Sequence, residues 1–278
     1  DGLFGFTDTW AWEVNTNYSH SSGKYNVLSI QTSRTGDLDY DNSGTAPVNY
    51  LDPGFLSGDK VDELVGALGV WDSGKTTYEQ ATVNAVFTGE LFDLPAGAVG
   101  TAVGLEYRYY SIDDQPGALS RNGDLWGSSS ASVTKGDDRV KEAFAEFEVP
   151  LLKGIPAIES LTANASARVF EYDSVDGSDN VWKLGLNWQL NSAFRIRGTI
   201  GTSYRAPGLY ELFLGNQTGF ASQASIDPCI RWGESSNDRY QANCAAAGIP
   251  ADYAGGGNSA TVYSGGGEGQ LVPETSKA

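Results

Sequence analysis

The stretch "ATVNAVFTGELFDLPAGAVGTAVGLEYRYY" (Ala81–Tyr110) contains two long runs of alternating residues that are joined by a short turn. Successive side chains of a β-strand point to opposite faces, so this alternation predicts two strands of a hairpin. The odd positions are mostly apolar, whereas the even positions include Asn84, Glu106 and Arg108. Each run approaches the roughly 10 residues of a tilted membrane-spanning strand and exceeds the usual length of about 5–6 residues. The apolar face therefore contacts either a protein core or lipid.

The same alternation recurs along the rest of the chain. It is found at 9–20, 139–150, 159–172, 181–190 and 194–205. Together with the opening hairpin this predicts about seven strands, and an eighth strand begins near Leu271. The sequence therefore predicts an all-β chain.

Composition excludes two classes of protein. The 278 residues carry a net charge of −17, which argues against a nucleic-acid partner because such proteins present basic patches. Mean hydropathy is −0.31, and no stretch approaches the ~18 consecutive apolar residues of a transmembrane helix. This test does not detect a membrane-spanning β-barrel, because the signal of such a barrel is alternation rather than continuous apolarity.

The predicted connections alternate between short and long. Short turns fall at 92–98, 151–158 and 191–193, and loops fall at 21–75, 113–138, 173–179 and 206–270. In an antiparallel meander this order places the short turns at one end of the sheet and the long loops at the other. Aromatic residues near strand ends, such as Trp10 and Trp188, are typical of the girdles at a membrane interface. Together these features favour an outer-membrane barrel.

The polar face of the predicted strands carries charges of both signs. The residues expected to face a lumen include Glu106, Arg108, Glu146, Glu148, Arg168, Lys183, Arg195 and Arg197. An interior packed by side chains alone would hold far fewer ionised groups, so this face suits a lumen with water or a polar plug. Because opposite charges on neighbouring strands stabilise a sheet, we expect Glu146 or Glu148 to pair with Arg168.

Two cysteines, Cys229 and Cys244, lie in the predicted loop 206–270. They could form a zinc or redox pair, or a disulfide that closes the loop. The sequence has no CxxC motif, and its one histidine, His20, is distant. The spacing therefore favours a disulfide formed in an oxidising compartment.

Several motifs resemble those of TonB-dependent outer-membrane receptors and transporters. "TSYRAPGLYELF" (Thr202–Phe213) resembles the strand-to-loop signature of this family. "LVPETSKA" (Leu271–Ala278) resembles a second signature, and Gly89–Arg108 resembles the periplasmic turn with its following strand. The matching signature residues are Tyr204, Arg205, Ala206, Pro207, Leu209, Glu211, Leu212, Phe213, Pro273, Glu274, Thr275, Ser276 and Lys277.

The cysteine-bearing stretches also resemble the family, namely the disulfide-bearing outer loop of a large subgroup. They are "DPC" (Asp227–Cys229) and "NCAAAGIP" (Asn243–Pro250). The chain departs from the family pattern at Gly208 and Tyr210, where polar residues are commoner, and in loop 21–75, which does not match.

The resemblance implies an antiparallel up-and-down transmembrane β-barrel segment. Residues 1–278 would be part of the receptor's barrel domain and supply about 7–8 of about 22 strands, the size class of plugged barrels. The location would be the outer membrane of a Gram-negative bacterium, with the long loops extracellular. The implied partners are an N-terminal plug, the remaining strands, the TonB complex reached through the plug, outer-membrane lipid or lipopolysaccharide, and a nutrient ligand. We expect the chain to be a piece of a longer protein, since neither plug nor TonB box is recognisable.

The function implied by the resemblance is active uptake of a scarce large nutrient, such as a ferric siderophore, cobalamin or a glycan. No reaction chemistry is expected, so the chain would not be an enzyme. One alternative is a structural or adhesive outer-membrane barrel without active transport, and another is a soluble all-β carbohydrate-binding domain. Aromatic and arginine side chains carry most recognition energy, so the candidate ligand-facing loop residues are Trp71, Trp126, Arg231, Trp232 and Tyr263.

No cofactor is expected. The stretch Gly36–Gly44 carries Asp37, Asp39 and Asp41 at the spacing that begins an EF-hand loop. Asn42 replaces the glycine that such a loop requires, and Val48 replaces its final glutamate, so a solvated acidic loop is favoured over a calcium site.

Two short helices are predicted within the loops. "DKVDELVGALG" (Asp59–Gly69) has Asp59 as its candidate cap, and "NDRYQANCAAAG" (Asn237–Gly248) has Asn237 or Asp238.

Overall fold

One nine-stranded antiparallel sheet dominates the computed structural model, which describes residues 2–3, 8–35, 53–257 and 259–278. Its strands are β1 (Gly2–Leu3), β2 (Ala11–Ile30), β3 (Gly69–Leu94), β4 (Gly97–Gln115), β5 (Thr134–Ile155), β6 (Ile158–Tyr172), β7 (Ser178–Asn191), β8 (Phe194–Arg205) and β11 (Glu274–Lys277). They neighbour one another in that order, so the sheet is an up-and-down meander that remains open. A separate two-stranded antiparallel sheet pairs β9 (Gln217–Ser222) with β10 (Ser259–Ser264).

The register separates two chemically different faces. Ala85 lies opposite Leu105, and Leu105 lies opposite Ala143. One residue along each strand, Glu106 lies between Asn84 and Glu142. The face that carries Leu105 is called the outer face here, and the face that carries Glu106 is called the inner face.

The apolar outer face is left uncovered. Leu105 is 62% exposed and Ile196 is 56% exposed, and no second sheet packs on this face in the described part of the chain. A soluble β-sandwich would bury such a face against another sheet about 10 Å away. The chain is an all-β segment of a barrel wall, and this surface argues against the soluble carbohydrate-binding alternative.

Strands β2 and β3 extend further than the sequence predicted. Residues 21–30 and 69–75 were expected to belong to loop 21–75, yet they lie in β2 and β3. The apolar alternation stops there because residues 21–24 of β2 and 72–75 of β3 are polar or small on both faces, while the backbone ladder continues through pairs such as Lys24 opposite Lys75. Alternation therefore marked each strand only as far as this polar interval.

Two further loops and the three turns are also shorter than predicted, whereas the loop predicted at 206–270 extends to 273 and contains β9 and β10. Loop 113–138 reduces to 116–133, and loop 173–179 reduces to 173–177. The turns predicted at 92–98, 151–158 and 191–193 reduce to 95–96, 156–157 and 192–193. The eighth strand of the prediction, near Leu271, is β11, which begins at Glu274. Short connections do lie at one end of the sheet, called the short-turn end, and the opposite end is called the long-loop end.

The helices are short and lie in the long loops. They are α1 (Thr32–Thr35), α2 (Pro53–Leu56), α3 (Val61–Leu68), α4 (Ala118–Asn122), α5 (Leu209–Phe213), α6 (Gln223–Ile226) and α7 (Asp238–Ala246), with a 3₁₀ turn at Trp232–Glu234. Within the described ranges, none of these helices has the length and apolarity needed to cross a membrane.

Both predicted helices are confirmed as α3 and α7. The Asn237 side chain caps α7 by accepting a hydrogen bond from the backbone N–H of Arg239 at 3.0 Å. Asp59 does not cap α3, because its carboxylate instead accepts a hydrogen bond from the Ser57 hydroxyl at 2.7 Å.

Candidate functional site

The charged residues that the sequence predicted to line a lumen share the inner face. The register places there all eight residues predicted to line a lumen: Glu106, Arg108, Glu146, Glu148, Arg168, Lys183, Arg195 and Arg197. Small residues separate them, since Glu146 lies opposite Ala102 and Lys183 lies opposite Gly201. Apart from Phe144 and Phe170, the inner face of these strands is thus largely polar.

A buried carboxylate organises the charges on β4, β5 and β6. The side chain of Glu142 is 3% exposed and lies between two guanidinium groups. Arg108 Nη2 is 3.2 Å from Glu142 Oε2, and Arg168 Nη1 is 3.0 Å from Glu142 Oε1. Arg108 Nε also lies 2.9 Å from Glu106 Oε1, which makes an ion pair but not an aligned hydrogen bond. The buried carboxylate of this cluster therefore has cationic partners, as a buried charge requires.

The predicted pairing of Arg168 with Glu146 or Glu148 is wrong. Arg168 lies directly opposite Phe144, so Glu142 and Glu146 occupy its two diagonal positions. Arg168 forms its ion pair with Glu142, whose carboxylate also binds Arg108. The Arg168 guanidinium lies 5.4 Å from the centroid of the Phe144 ring. Within the described ranges, Glu146, Glu148, Lys183, Arg195 and Arg197 make no ion pair with one another or with other residues.

Aromatic side chains gather beside this charge cluster, toward the long-loop end. The ring centroids of Phe170 and Tyr204 are 4.4 Å apart, and those of Tyr172 and Tyr204 are 5.8 Å apart. Phe170 is only 5% exposed. The sequence analysis recognised Tyr204 as a motif residue but did not identify its two aromatic partners.

Helix α5 folds back onto the inner face. Leu212 is buried at 2% exposure, and the Phe213 ring lies against Gly136 so closely that a Cβ there would lie 2.2 Å from it. The backbone N–H of Gly215 donates to the hydroxyl of buried Thr134 at 2.9 Å. The start of the long loop after β8 is thereby held against β5.

The two sequence motifs bind each other. Arg205 Nη2 donates to Glu211 Oε1 at 2.7 Å, and Arg205 Nη1 donates to Glu274 Oε1 at 3.2 Å. The other oxygen of Glu211 accepts a hydrogen bond from the backbone N–H of Gly208 at 2.7 Å. This backbone bond, followed by the Arg205 contact, holds the pKa of the Glu211 carboxyl below its usual range. The base of the long loop is therefore closed by one arginine and two glutamates.

Two aspartates connect the remaining long loops. The carboxylate of Asp72 on β3 accepts hydrogen bonds from the backbone N–H groups of Leu119 and Ser120, at 3.3 and 2.9 Å, at the start of α4. Asp124 accepts hydrogen bonds from Gln31 Nε2 at 2.6 Å and from the backbone N–H of Ser33 at 2.7 Å. These bonds lower the pKa of the Asp124 carboxyl, and the bond from Gln31 has the largest effect.

A third contact joins loop 116–133 to the long loop after β8. The backbone N–H of Ser130 donates to the Thr218 hydroxyl at 2.8 Å, and the N–H of Thr218 donates to the carbonyl of Ser130 at 3.0 Å. With the two aspartate contacts, this joins the long loops into one connected layer at the long-loop end.

The predicted disulfide between Cys229 and Cys244 is confirmed, with their Cα atoms 5.6 Å apart. It fixes α7 to the turn that follows α6. Within the described residues no group of three or more potential metal ligands comes together. The acidic stretch with Asp37, Asp39 and Asp41 lies outside the described residues.

Comparison with protein families matches residues 1–278 to the family described as TonB dependent receptor-like, beta-barrel. The chain belongs to this family. No curated protein matches the chain. TonB-dependent receptors are outer-membrane transporters rather than enzymes, and the family implies a plug domain and an interaction with TonB.

Trp71 does not occupy the predicted place in this receptor barrel. It was assigned to a loop, but it lies in β3 opposite Leu28 and is 65% exposed. Its odd position places it on the outer face with Val83 and Ala85, away from the charged inner face. The cause is the unrecognised extension of β3.

The other four candidate contacts do lie in the loops of the receptor. Trp126 is 62% exposed and Tyr263, on β10, is 79% exposed. Arg231 is exposed and has a left-handed backbone with φ of 50°. Trp232 is only half-exposed, and its indole N–H donates to the Ile249 carbonyl at 3.0 Å, so it packs within its own loop.

Proposed function

We propose that this receptor barrel serves active uptake of a scarce large nutrient across the outer membrane of a Gram-negative bacterium. The nutrient classes are a ferric siderophore, cobalamin or a glycan. The long-loop end faces the outside of the cell, and a plug domain and further strands complete the barrel. The chain contributes binding and a wall to the transport path, and it carries out no reaction chemistry.

The uncompensated charges of the inner face are the observation that carries this proposal. Glu146 and Glu148 lie on β5, whereas Lys183 lies on β7 and Arg195 and Arg197 lie on β8. Ionised groups of this kind are stable only against water or a polar surface of complementary charge. A water-filled lumen that contains a polar plug supplies both, and a closed apolar interior supplies neither.

The connected layer of long loops provides the entry side of the proposed transport path. Arg205, Glu211 and Glu274 fix where the long loop leaves the wall. Trp126, Arg231 and Tyr263 then present exposed aromatic and cationic surface for a ligand, and Trp232 shapes the loop that carries Arg231.

Uptake by cells tests the proposal. The full-length receptor would be deleted and restored in its host, and accumulation of radiolabelled ferric siderophores, cobalamin and oligosaccharides would be measured. We expect one class to accumulate only in the restored strain, and only while TonB is present. Accumulation of none, or accumulation that persists without TonB, would favour the structural or adhesive barrel.

A further inference from the structure

The inner face of β2 and β3 carries a recess toward its long-loop end. Tyr25 on β2 and Tyr78 on β3 bound this recess, and Gly23 lies between them at its floor. Tyr25 pairs with Gly74 across the two strands, and Tyr78 pairs with Ser21 four residues further along, a distance of about 13 Å. A Cβ on Gly23 would meet nothing within 4 Å, so the space above the floor is open.

The Tyr25 ring lies across the sheet at one end of the recess. It covers Gly74, since a Cβ there would lie only 2.2 Å from Tyr25 Cζ, and only glycine leaves room for the ring. One side of the ring thus rests on the backbone of β3, yet Tyr25 remains 40% exposed. Tyr78, at the other end, is 44% exposed. The recess therefore offers aromatic surface to a ligand.

A carboxylate lies beside the floor of the recess. Asp114 on β4 is opposite Thr76, which is opposite Gly23. Its Oδ1 accepts hydrogen bonds from the Thr76 hydroxyl at 2.6 Å and from the Tyr25 hydroxyl at 3.4 Å. Within the described ranges no hydrogen bond reaches its Oδ2. This oxygen can accept a hydrogen bond from a ligand hydroxyl group.

This part of the inner face lacks cations. Beyond Arg108, toward the long-loop end, the inner positions of β2 to β5 that the structure describes carry no lysine or arginine. The same positions carry three aspartates: Asp72, Asp114 and Asp138. An anionic ligand would meet only carboxylates, hydroxyl groups and aromatic rings here, and like charges brought together oppose binding. The charges therefore favour a neutral ligand that is rich in hydroxyl groups.

The recess lies outside the part of the wall that faces the lipid hydrocarbon. On the outer face an apolar band follows β3 from Gly89, which the Trp10 ring covers, to Ala81, which lies opposite Tyr18. This stretch spans about 26 Å along the strand, comparable with the roughly 25 Å apolar band of outer-membrane barrels. Tyr25 lies seven residues beyond Tyr18 on β2, toward the long-loop end. A ligand that enters from that end therefore reaches the recess before it reaches the level of the membrane.

We propose that the recess binds a sugar ring of a neutral glycan, and that this glycan is the nutrient which the receptor takes up. The C–H groups of the sugar pack on the Tyr25 ring, whose face is negative and whose apolar area is large. A sugar hydroxyl donates to Asp114 Oδ2, and hydrogen bonds to a charged acceptor are stronger than those between neutral groups. The inference rests on the proposed function and narrows its three nutrient classes to one.

Oligosaccharide binding by the full-length receptor in a neutral detergent tests the proposal. The receptor would be applied to an array of neutral oligosaccharides, each beside a counterpart whose primary alcohols are oxidised to carboxylates. The best neutral oligosaccharide, its counterpart, ferric siderophores and cobalamin would then be titrated by calorimetry. We expect the neutral oligosaccharide to bind, and its oxidised counterpart to bind about tenfold more weakly. Binding of a ferric siderophore or cobalamin, and of no neutral oligosaccharide, would overturn the proposal.

The same titration with Tyr25→Ala tests the aromatic contact. We expect this variant to bind the neutral oligosaccharide about tenfold more weakly, since the loss of one central aromatic contact has an effect of this size. Tyr240→Ala is the matched control, because it removes a tyrosine of α7 that is similarly exposed, at 43%, and should leave binding unchanged. Full affinity in Tyr25→Ala would overturn the proposal.

The variant Gly23→Val separates ligand binding from a structural role. Its side chain enters the open space above the floor, and valine suits a strand better than glycine does. The receptor should therefore keep its melting temperature while oligosaccharide binding is lost. Gly198→Val on β8 is the matched control, since its Cβ would also meet nothing within 4 Å but lies on the outer face, and it should retain binding. Full affinity in Gly23→Val, or a lower melting temperature, would overturn the open recess.

These measurements do not need TonB. Binding of another nutrient class would therefore contradict this inference alone, whereas uptake that persists without TonB would contradict the transport proposal alone.

Discussion

The guanidinium of Arg205 lies 2.7 Å from the carboxylate of Glu211, and this contact joins the last strand before the long loop to the first helix within it. The second branch of Arg205 reaches Glu274, at the point where the chain returns to the sheet. A planar guanidinium can hold two carboxylates in fixed directions, which a lysine ammonium cannot do. Two motifs that are distant in sequence are thus parts of one contact.

Replacing Arg205 should therefore loosen the whole loop rather than one strand. In Arg205→Gln we expect faster proteolytic cleavage and faster hydrogen exchange at Gly208–Phe213 and Glu274–Lys277. Arg205→Lys should restore protection only partly. Arg231→Gln, in the same loop but distant from the contact, is the matched control and should retain wild-type protection at both segments. Unchanged exchange in Arg205→Gln would show that the loop is held by its packing alone.

The buried carboxylate of Glu142 should be among the most sensitive positions of the wall. Glu142→Ala leaves Arg108 and Arg168 without their shared partner, and removing one member of a buried ion pair costs about 3–5 kcal/mol. The free energy of unfolding, from urea titration of the receptor in lipid vesicles, measures this. Glu146→Ala removes a carboxylate that forms no ion pair in the described part of the chain, and it should change stability by less than about 0.5 kcal/mol. Equal losses in both variants would contradict the account.

Close packing of Phe213 on Gly136 predicts that even one added methyl group is not tolerated there. Gly136→Ala places a Cβ 2.2 Å from the ring, so α5 must move, at a cost of about 1–3 kcal/mol. Gly198→Ala is the matched control, since its Cβ would meet nothing within 4 Å. Hydrogen exchange of α5 should rise in the first variant and stay unchanged in the second. The reverse order would exclude this docking of α5.

Acid should release α1 from loop 116–133. The pKa of Asp124 is lowered in the folded protein, chiefly by the hydrogen bond from Gln31. Its stabilising contribution is therefore present above the ordinary pKa of 3.8 and is lost as the pH falls through the lower, folded value. Exchange at Gln31–Thr35 should accelerate more between pH 5 and about pH 2.5 in wild-type receptor than in Asp124→Asn. Equal acceleration in both would assign the change to other groups.

The disulfide should stabilise its own loop. Cys229 and Cys244 are separated by 15 residues, for which chain entropy gives about 3 kcal/mol. The double variant Cys229→Ser/Cys244→Ser should be cleaved by protease within residues 229–244, while the wall strands remain protected. Cleavage that spreads to β8 would indicate that the disulfide also supports the wall.

The sequence predicted the wall better than its edges. Alternation identified the segments that cross the apolar band, because lipid on one face and polar contacts on the other impose a period of two. It stopped at His20 and Thr76 because a polar interval follows on both faces, at 21–24 and 72–75, although the backbone ladder continues to Ile30 and Gly69. Trp71 was misplaced for this reason.

Contacts between distant segments were the other part that the sequence could not reveal. The Asp72 carboxylate receives hydrogen bonds from α4, and no local pattern around Asp72 distinguishes it from any exposed aspartate. Arg168 was correctly placed on the charged face, but its choice of Glu142 over Glu146 depends on Arg108 from a third strand. Pairing within a cluster depends on all its members, whereas alternation concerns one strand at a time.

The orientation of neighbouring residues on one strand tests the central claim, that the sheet is a membrane wall with lipid outside and a polar lumen inside. Spin labels at Lys183→Cys and Leu184→Cys of the full-length receptor in lipid vesicles would be exposed to oxygen, which concentrates in lipid, and to a water-soluble nickel complex. We expect residue 184 to collide mainly with oxygen, and residue 183 to be shielded from oxygen and more accessible to the nickel complex. The same preference at both positions, or the reverse, would contradict the account.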